Sequence, residues 1–290
     1  MSEKLNPGLT NLSSSILNEG VDPAVAAVLF GGIERDVIWH CQADPRFCFH
    51  AYIPESVYDD DVTEFKVAVL VHGTGRSYMR YREHFKAFAD KNHFALIMPI
   101  FPAGLVDPKD YHSYKVMNYK GVRYDQILLS MLNQYHEKFP KVNVDKVFMA
   151  GHSGGGQYTL RFLYLHPDRL MGASIGAPGR PTYLDDSRDF FWGTRNFRRL
   201  FDKELDYEAM KRVPVQMVIG SLDTEFINET PFGSNRFERI NSLKKNFEEH
   251  GISVRKSVIE GMAHGGKDAE RLGAIEDFFE SVLKGTFTPN

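Results

Sequence analysis

The sequence predicts an α/β fold in which a mostly parallel, twisted sheet carries helices on both faces. Short apolar runs alternate with amphipathic stretches along the 290 residues, and this alternation is typical of parallel strands joined by helices. The runs are continuously apolar, as in strands that are buried on both faces. Hydrophobic residues make up 42% of the chain and charged residues 25%, a composition that supports a sizeable core.

Five apolar runs mark the predicted strands, and a further strand is expected to end near Ala177. The five runs lie at residues 67–71, 95–98, 147–150, 215–219 and 254–259. Helices are expected where apolar residues recur every three or four positions, because such a stripe can lie on the sheet. The predicted helical stretches are residues 127–135, 157–166, 237–247 and 272–283.

The first 65 residues follow another pattern, typical of antiparallel strands. A hairpin is predicted from residues 37–41 and 47–52, with a short turn between them. In that hairpin Cys41 and Cys48 are expected to lie opposite each other as free thiols, with His50 on the same face. A disulfide or a metal site with His50 are the alternatives that this placement leaves open.

Two segments stand outside the alternating pattern. Residues 1–36 are expected to form an N-terminal extension with one or two short helices, including 23–30, ahead of an α/β domain over residues 37–290. Within that domain, residues 180–212 interrupt the alternation and carry several aromatic side chains. We interpret residues 180–212 as a small cap insertion over the site.

Charge and composition exclude several classes of function. Lysine plus arginine number 35 against 38 for aspartate plus glutamate, so the net charge of −3 offers no basic excess for nucleic acid. No apolar stretch reaches the ~20 residues of a membrane helix, and no secretory leader is visible, so a cytoplasmic protein without a membrane partner is expected. With two cysteines and no ligand spacing, neither a cofactor nor a metal is expected. The expected partner is a small-molecule substrate, and a homo-oligomer is left open.

The strongest sign of chemistry is Gly151-His152-Ser153-Gly154-Gly155, which follows a predicted strand and precedes a predicted helix. A serine in this context lies in a tight turn that requires small neighbours, and its hydroxyl stands above the sheet edge. Ser153 is therefore the predicted nucleophile, and the Gly154 N–H faces any oxyanion formed there. His152 cannot reach Ser153 in a productive geometry and is counted with the expected substrate-binding residues.

A serine hydroxyl needs a base, and two downstream strand ends supply the base and its partner. Asp223 follows the fourth apolar run, so its carboxylate points to the same sheet edge as Ser153. His264 follows the fifth run in a glycine-flanked loop that can carry an imidazole over that edge. Asp223 would fix the imidazole tautomer, and Glu225 is its nearest rival.

The remaining candidates lie in the loop after the first run and in the cap. The loop is His72-Gly73-Thr74-Gly75, in which His72 braces the turn and the Thr74 N–H is the expected second oxyanion donor. Gly73 is expected beside the substrate. Three aromatic residues of the cap either line the substrate pocket or anchor the cap to the core: Phe190, Phe191 and Trp192.

Together these motifs resemble the α/β-hydrolase superfamily, over roughly residues 60–285. Three segments resemble esterases related to poly(3-hydroxybutyrate) depolymerases: Ser153-Gly154-Gly155-Gly156-Gln157, His166-Pro167-Asp168-Arg169 and Gly176-Ala177-Pro178-Gly179. The resemblance implies the same catalytic set that the spacing indicates. Gly154 stands where an alanine is common in those relatives, so polymer hydrolysis is not inferred.

The ordered triad predicts a serine hydrolase that cleaves a carboxylic ester or lactone of a small molecule through an acyl-enzyme. An amidase or peptidase would use the same triad. A lyase similar to hydroxynitrile lyases would use the serine–histidine pair only to move a proton. Such a lyase would need a polar or cationic group near the leaving nitrile.

Overall fold

Ten strands lie in residues 34–290, the part of the chain that the computed structural model describes, and eight of them form one sheet. The strands are β1 (Asp36–His40), β2 (Cys48–Tyr52), β3 (Phe65–Val71), β4 (Phe94–Ile100), β5 (Asn118–Tyr119), β6 (Val122–Arg123), β7 (Val142–His152), β8 (Leu170–Gly176), β9 (Val215–Gly220) and β10 (Val254–Ile259). The sheet order is β1-β2-β4-β3-β7-β8-β9-β10, and β5 and β6 form a separate ribbon. β1, β2 and β4 pair antiparallel, and the pairs from β4 to β10 are parallel. The predicted mostly parallel sheet is confirmed.

Helices cover both faces of this sheet. The α-helices are α1 (Met79–Asn92), α2 (Tyr124–Lys138), α3 (Gly154–Leu165), α4 (Phe197–Phe201), α5 (Tyr207–Lys211), α6 (Arg236–Glu249) and α7 (Asp268–Leu283). Three short 3-10 helices accompany them: Glu55–Tyr58, Ser113–Val116 and Pro167–Arg169. Within residues 34–290, no helix combines the length and the apolar content that crossing a membrane requires.

The two faces of the sheet have separate cores because successive strand residues point to opposite sides. Ala68 and Leu70 of β3 pack with apolar residues of α1 and α7. Val67 and Val69 of the same strand pack with apolar residues of α2, α3 and α6. Strand β3 is therefore buried on both faces, as its continuous apolar run predicts.

The predicted hairpin is present, but its register differs from the expected one. His40 pairs with Cys48, and the Cys41 N–H donates to the Phe47 carbonyl, so Cys41 and Cys48 lie on opposite faces. Both thiols are free, and Cys41 Sγ lies 3.5 Å from the Ser130 hydroxyl. The proposed pairing of the thiols is therefore wrong. No group of three or more histidine, cysteine, aspartate or glutamate residues within 34–290 is arranged to hold a metal ion.

Several expected features lie partly or wholly outside the described residues. The short helix expected at residues 23–30 and most of the extension 1–36 belong to that part of the chain. The connection from β8 to β9 is described and spans residues 177–214, which include the segment 180–212 and carry α4 and α5.

The parallel strands end at one edge of the sheet, and the loops after them carry the predicted site residues. The carboxyl ends of parallel strands meet along such an edge, so residues far apart in sequence come together there. Thr74 follows β3, Ser153 follows β7, Asp223 follows β9 and His264 follows β10.

The first turn of α3 packs directly on the backbones of the neighbouring strands. A side chain at Gly155 would overlap the Val71 carbonyl of β3, and one at Gly156 would overlap the Gly176 carbonyl of β8. These overlaps involve backbone atoms that no rotamer change can move. Glycine at these positions lets α3 begin immediately after β7, and this close approach fixes the position of Ser153.

We predict that Gly155→Ala lowers the free energy of unfolding by about 3 kcal/mol, because the added methyl group meets the Val71 carbonyl. Gly273→Ala in α7 is the matched control, since no other atom of residues 34–290 beyond its own helix lies within 4 Å of a Cβ there. The control should be neutral or stabilising by up to about 1 kcal/mol. Urea unfolding measures both changes, and equal stabilities for the two variants would contradict the packing described.

Candidate active site

Ser153 lies in the sharp turn between β7 and α3. Its backbone angles are φ 58° and ψ −111°, a positive-φ conformation that residues other than glycine rarely adopt. The Ser153 N–H donates to the Gly176 carbonyl at 2.9 Å, which ties the turn to β8. Backbone strain of this kind concentrates at functional sites. Here it presents the serine hydroxyl to the loop after β10.

A continuous chain of hydrogen bonds joins Ser153, His264 and Asp223. The Ser153 hydroxyl lies 3.0 Å from His264 Nε2, and His264 Nδ1 lies 2.8 Å from Asp223 Oδ2. With Nδ1–H donating to the carboxylate, Nε2 carries the lone pair that can accept the serine proton. Glu225 is exposed, and the imidazole bonds to Asp223 instead. The structure thus brings the three predicted triad residues together.

The Asp223 carboxylate stays ionised although its side chain is fully buried. Burial raises the pKa of Asp223, but the hydrogen bond from His264 and the charge of Arg236 outweigh it and hold that pKa below its usual value. Arg236 Nη1 lies 3.3 Å from Asp223 Oδ1, and the Phe237 N–H donates to the Asp223 carbonyl. The beginning of α6 therefore fixes the loop that carries the acid.

His152 supports the base and does not line the cavity beside Ser153. Its Nε2–H donates to the His264 carbonyl at 2.8 Å, and the two rings lie 5.1 Å apart. Burial, aided by the charge of Arg271, lowers the pKa of His152 to about 3, so the ring is neutral at physiological pH. The expected contact between His152 and the substrate is replaced by a contact that holds the main chain of His264 in place.

The two backbone N–H groups expected to stabilise an oxyanion, those of Thr74 and Gly154, lie close together beside Ser153. Gly154 is the first residue of α3, and a Cβ on Gly154 would lie 3.2 Å from the Thr74 nitrogen. Within the described residues, neither the Thr74 N–H nor the Gly154 N–H bonds to a backbone acceptor. Both donors therefore remain available at a helix N-terminus, where negative charge is favoured.

Two side chains brace the loop that carries Thr74. His72 Nδ1–H donates to the Gly73 carbonyl at 2.8 Å, and His72 Nε2 accepts from the Phe101 N–H at 3.1 Å. Burial lowers the pKa of His72 to about 4, which keeps this bracing ring neutral. Arg76 donates to the Thr74 carbonyl at 2.6 Å. His72 thus has the bracing role expected for it.

Lys115 is a component of the site that the sequence analysis missed. It lies on the 3-10 helix Ser113–Val116, and its buried ammonium donates to the Thr74 hydroxyl at 2.7 Å and to His112 Nδ1. Burial, together with neighbouring arginine charges, lowers the pKa of Lys115 to about 8. A methyl group on Gly154 would overlap Lys115 Cε and the Tyr114 hydroxyl, which accounts for glycine at 154.

A cavity of about 290 Å³ opens beside the Ser153 hydroxyl. Of the residues predicted for the site, Thr74, Ser153 and Phe191 line it. Gly73 does not; a Cβ there would meet the His152 carbonyl and Ser153 Cβ. The complete lining is Thr74, His112, Lys115, Val116, Ser153, Gln157, Arg161, Gly179, Arg180, Phe191, Ile227 and Arg236.

The three aromatic residues 190–192 of the β8–β9 connection have different roles: one lines the cavity and two anchor the connection. Phe191 lines the cavity. Phe190 packs on Phe201 with ring centroids 5.2 Å apart, and Trp192 stacks on Phe232 at 6.1 Å. Phe190 and Trp192 are therefore anchors of this connection, and their expected placement at the substrate pocket is corrected.

Solved structures of hydrolases are similar to this one. A poly(aspartic acid) hydrolase from Sphingomonas sp. KT-1 superposes with a TM-score of 0.64 at 19% identity, covering 80% of this chain and 92% of that chain. A poly(3-hydroxybutyrate) depolymerase from Bordetella parapertussis gives 0.64 at 19% identity, with 88% and 91% covered. An S-formylglutathione hydrolase from Agrobacterium tumefaciens gives 0.58 at 14% identity, with 82% and 89% covered.

No known family description and no curated protein matches the chain. The structural likenesses, at identities this low, concern the fold. Together with the sheet order they confirm the α/β-hydrolase fold that the motifs predict.

We predict that Lys115→Met raises the melting temperature at pH 7 by about 3 °C and lowers ester turnover, because a buried charge is removed while Thr74 loses its anchor. The difference in melting temperature between variant and wild type should shrink as pH rises from about 8 to 10.5. In that range Lys115 has lost its proton in the folded wild type but keeps it in the unfolded chain.

Differential scanning fluorimetry across this pH range provides the comparison. Lys109→Met, an exposed lysine of the same loop, is the control and should leave both readouts unchanged. A lower melting temperature for Lys115→Met with unaltered turnover would contradict the description of Lys115 as a destabilising buried charge that anchors Thr74.

Proposed function

We propose that the protein is a serine hydrolase that cleaves carboxylic esters or lactones of small molecules through an acyl-enzyme. The observation that carries the proposal is the unbroken hydrogen-bond chain from Ser153 through His264 to Asp223, at 3.0 and 2.8 Å. A nucleophile, its base and an orienting acid within hydrogen-bond reach of one another are the parts that acyl transfer requires.

In the first half of the reaction, His264 Nε2 takes the Ser153 proton as Oγ attacks the substrate carbonyl. The backbone N–H groups of Thr74 and Gly154 stabilise the negative charge that develops on the carbonyl oxygen. Asp223 stabilises the imidazolium without taking its proton. The imidazolium then protonates the leaving alcohol, and the acyl group remains on Ser153.

In the second half, water replaces the alcohol. His264 Nε2 takes a proton from that water as its oxygen attacks the acyl carbonyl, and the same two N–H groups hold the second tetrahedral intermediate. Return of the proton to Ser153 Oγ releases the carboxylic acid. His264 can serve both steps because Asp223 holds its ring and His152 holds its main chain.

An ester is proposed ahead of an amide because an alcohol needs less precise protonation than an amine to depart. Structures similar to this one include a ferulic acid esterase and S-formylglutathione hydrolases, which supports hydrolytic chemistry of this kind. The cavity of about 290 Å³ supports a small substrate.

We predict that Ser153→Ala lowers kcat on a short-chain 4-nitrophenyl ester by at least about 10⁴-fold, because the acyl-enzyme cannot form. A fluorophosphonate should label the wild type at Ser153 and leave the variant unlabelled. Ser187→Ala, an exposed serine of the β8–β9 connection, is the matched control and should turn over and label like the wild type.

If the Ser153→Ala variant turned over the ester at the wild-type rate, the assignment of the nucleophile would be refuted. A wild type that neither cleaves esters nor reacts with the fluorophosphonate would refute the hydrolase proposal as a whole.

One observation favours a second candidate, a lyase that uses the same serine–histidine pair for proton transfer. Such a lyase needs a polar or cationic group near its leaving nitrile, and the Lys115 ammonium lines the same cavity as Ser153. Release of cyanide from a cyanohydrin such as mandelonitrile, dependent on Ser153 and without ester turnover, would favour the lyase. Ester turnover without cyanide release would exclude it.

A further inference from the structure

The cavity beside Ser153 is lined by cations. Lys115, Arg161, Arg180 and Arg236 all contribute to its wall, and none of its twelve lining residues is an aspartate or a glutamate. This local charge is not inherited from the whole chain, whose net charge is −3. The four side chains, here called the cationic wall, therefore mark a local positive potential around the site.

The cationic wall is poorly neutralised within the described residues. Arg161 is buried and donates to neutral acceptors, including the Thr182 hydroxyl at 2.9 Å and the Arg180 carbonyl at 2.8 Å. Neither Arg161, Arg180 nor Lys115 forms an ion pair with any carboxylate of residues 34–290. Arg236 alone meets a carboxylate, that of Asp223, and its buried Nε has no partner among these residues.

Within residues 34–290, Arg180 is the member of the wall whose side chain forms neither a hydrogen bond nor an ion pair. Its side chain is exposed, and its guanidinium lies 5.8 Å from the Phe191 ring centroid at the cavity wall. Arg161, in contrast, ties together the carbonyls of Lys115 and Arg180. Among the described residues, nothing occupies the planar fork of donors of Arg180, which can therefore bind a ligand.

Holding these cations together has a cost that a bound anion would offset. Burial, together with the charge of Arg180, lowers the pKa of Arg161 to about 9. Burial and the charges of Arg76, Arg161 and Arg180 act in the same direction on Lys115. Unpaired buried charge disfavours the folded state, so an anion entering the cavity would gain electrostatic energy from every member of the wall.

We propose that the substrate is a small ester that also carries a carboxylate, which the cationic wall binds while Ser153 attacks the ester carbonyl. This inference rests on the proposed function and names the substrate class of the same site. A guanidinium binds a carboxylate through two parallel hydrogen bonds, which adds orientation to attraction. Arg180 is assigned the contact that selects charged over neutral esters.

The test compares two pairs of esters that differ only in charge. Mono(4-nitrophenyl) adipate and its methyl ester share a leaving group and an acyl chain, and only the first carries a carboxylate. 3-Acetoxybenzoate and its methyl ester place the carboxylate on the alcohol side instead. We expect wild-type kcat/KM to be at least about tenfold higher for the charged member of one pair, with a preference that shrinks as salt is added.

Arg180→Gln should lower the charged-to-neutral ratio of kcat/KM about tenfold in that pair. Arg199→Gln is the matched control, since Arg199 is an exposed arginine of the same connection that does not line the cavity. That control should keep the wild-type ratio.

Neutral esters cleaved as fast as charged ones in both pairs would overturn the inference and leave the proposed function standing. A charged preference that Arg180→Gln retains would overturn the assignment of the selecting contact to Arg180. Absence of turnover of all four esters, with no fluorophosphonate labelling, would instead refute the proposed function.

Discussion

The turn at Ser153 exists because the first turn of α3 packs on the bare backbones of two neighbouring strands. Gly155 lies against the Val71 carbonyl of β3, and Gly156 lies against the Gly176 carbonyl of β8. This contact leaves room for no side chain, holds Ser153 at a positive φ and brings the helix N-terminus to the Thr74 loop. The nucleophile and both proposed oxyanion donors therefore depend on one packing constraint between β3, α3 and β8.

Around that turn, burial and hydrogen bonding determine which side chains are charged. His72 and His152 are kept neutral and act as braces, whereas the carboxylate of Asp223 is kept ionised by His264 and Arg236. On the cavity side, three of the four cations of the wall (Lys115, Arg161 and Arg180) form no ion pair with a carboxylate of the described residues, and Arg236 pairs with Asp223. Such a cluster costs folding free energy, as buried charge without a partner does. The cations therefore lower the stability of the fold and create a positive potential in the cavity. This potential would stabilise both the proposed oxyanion and the proposed anionic group of the substrate.

The sequence predicted the parts of this protein whose signals are local. Continuous apolar runs predicted the strands, and glycines around Ser153 predicted the tight turn. Helix α1 was missed although its buried Tyr81, Phe85 and Phe88 recur at helical spacing. The two-residue strands of the ribbon were missed because they are too short for a periodic pattern. The predicted register of the first hairpin was wrong by one residue, because the geometry of the turn sets the register. The cationic wall could not be predicted, since its members come from the loop before α2, from α3, from the β8–β9 connection and from α6, which only the tertiary fold brings together.

The most direct test of the account is a crystal structure of the protein after reaction with a 4-nitrophenyl alkylphosphonate, which mimics the tetrahedral intermediate. The account predicts phosphorus bonded to Ser153 Oγ, with the phosphonyl oxygen within about 3 Å of the Thr74 and Gly154 nitrogens. The imidazole of His264 should remain bonded to Asp223. An adduct on another residue, or a phosphonyl oxygen turned away from both backbone N–H groups, would contradict it.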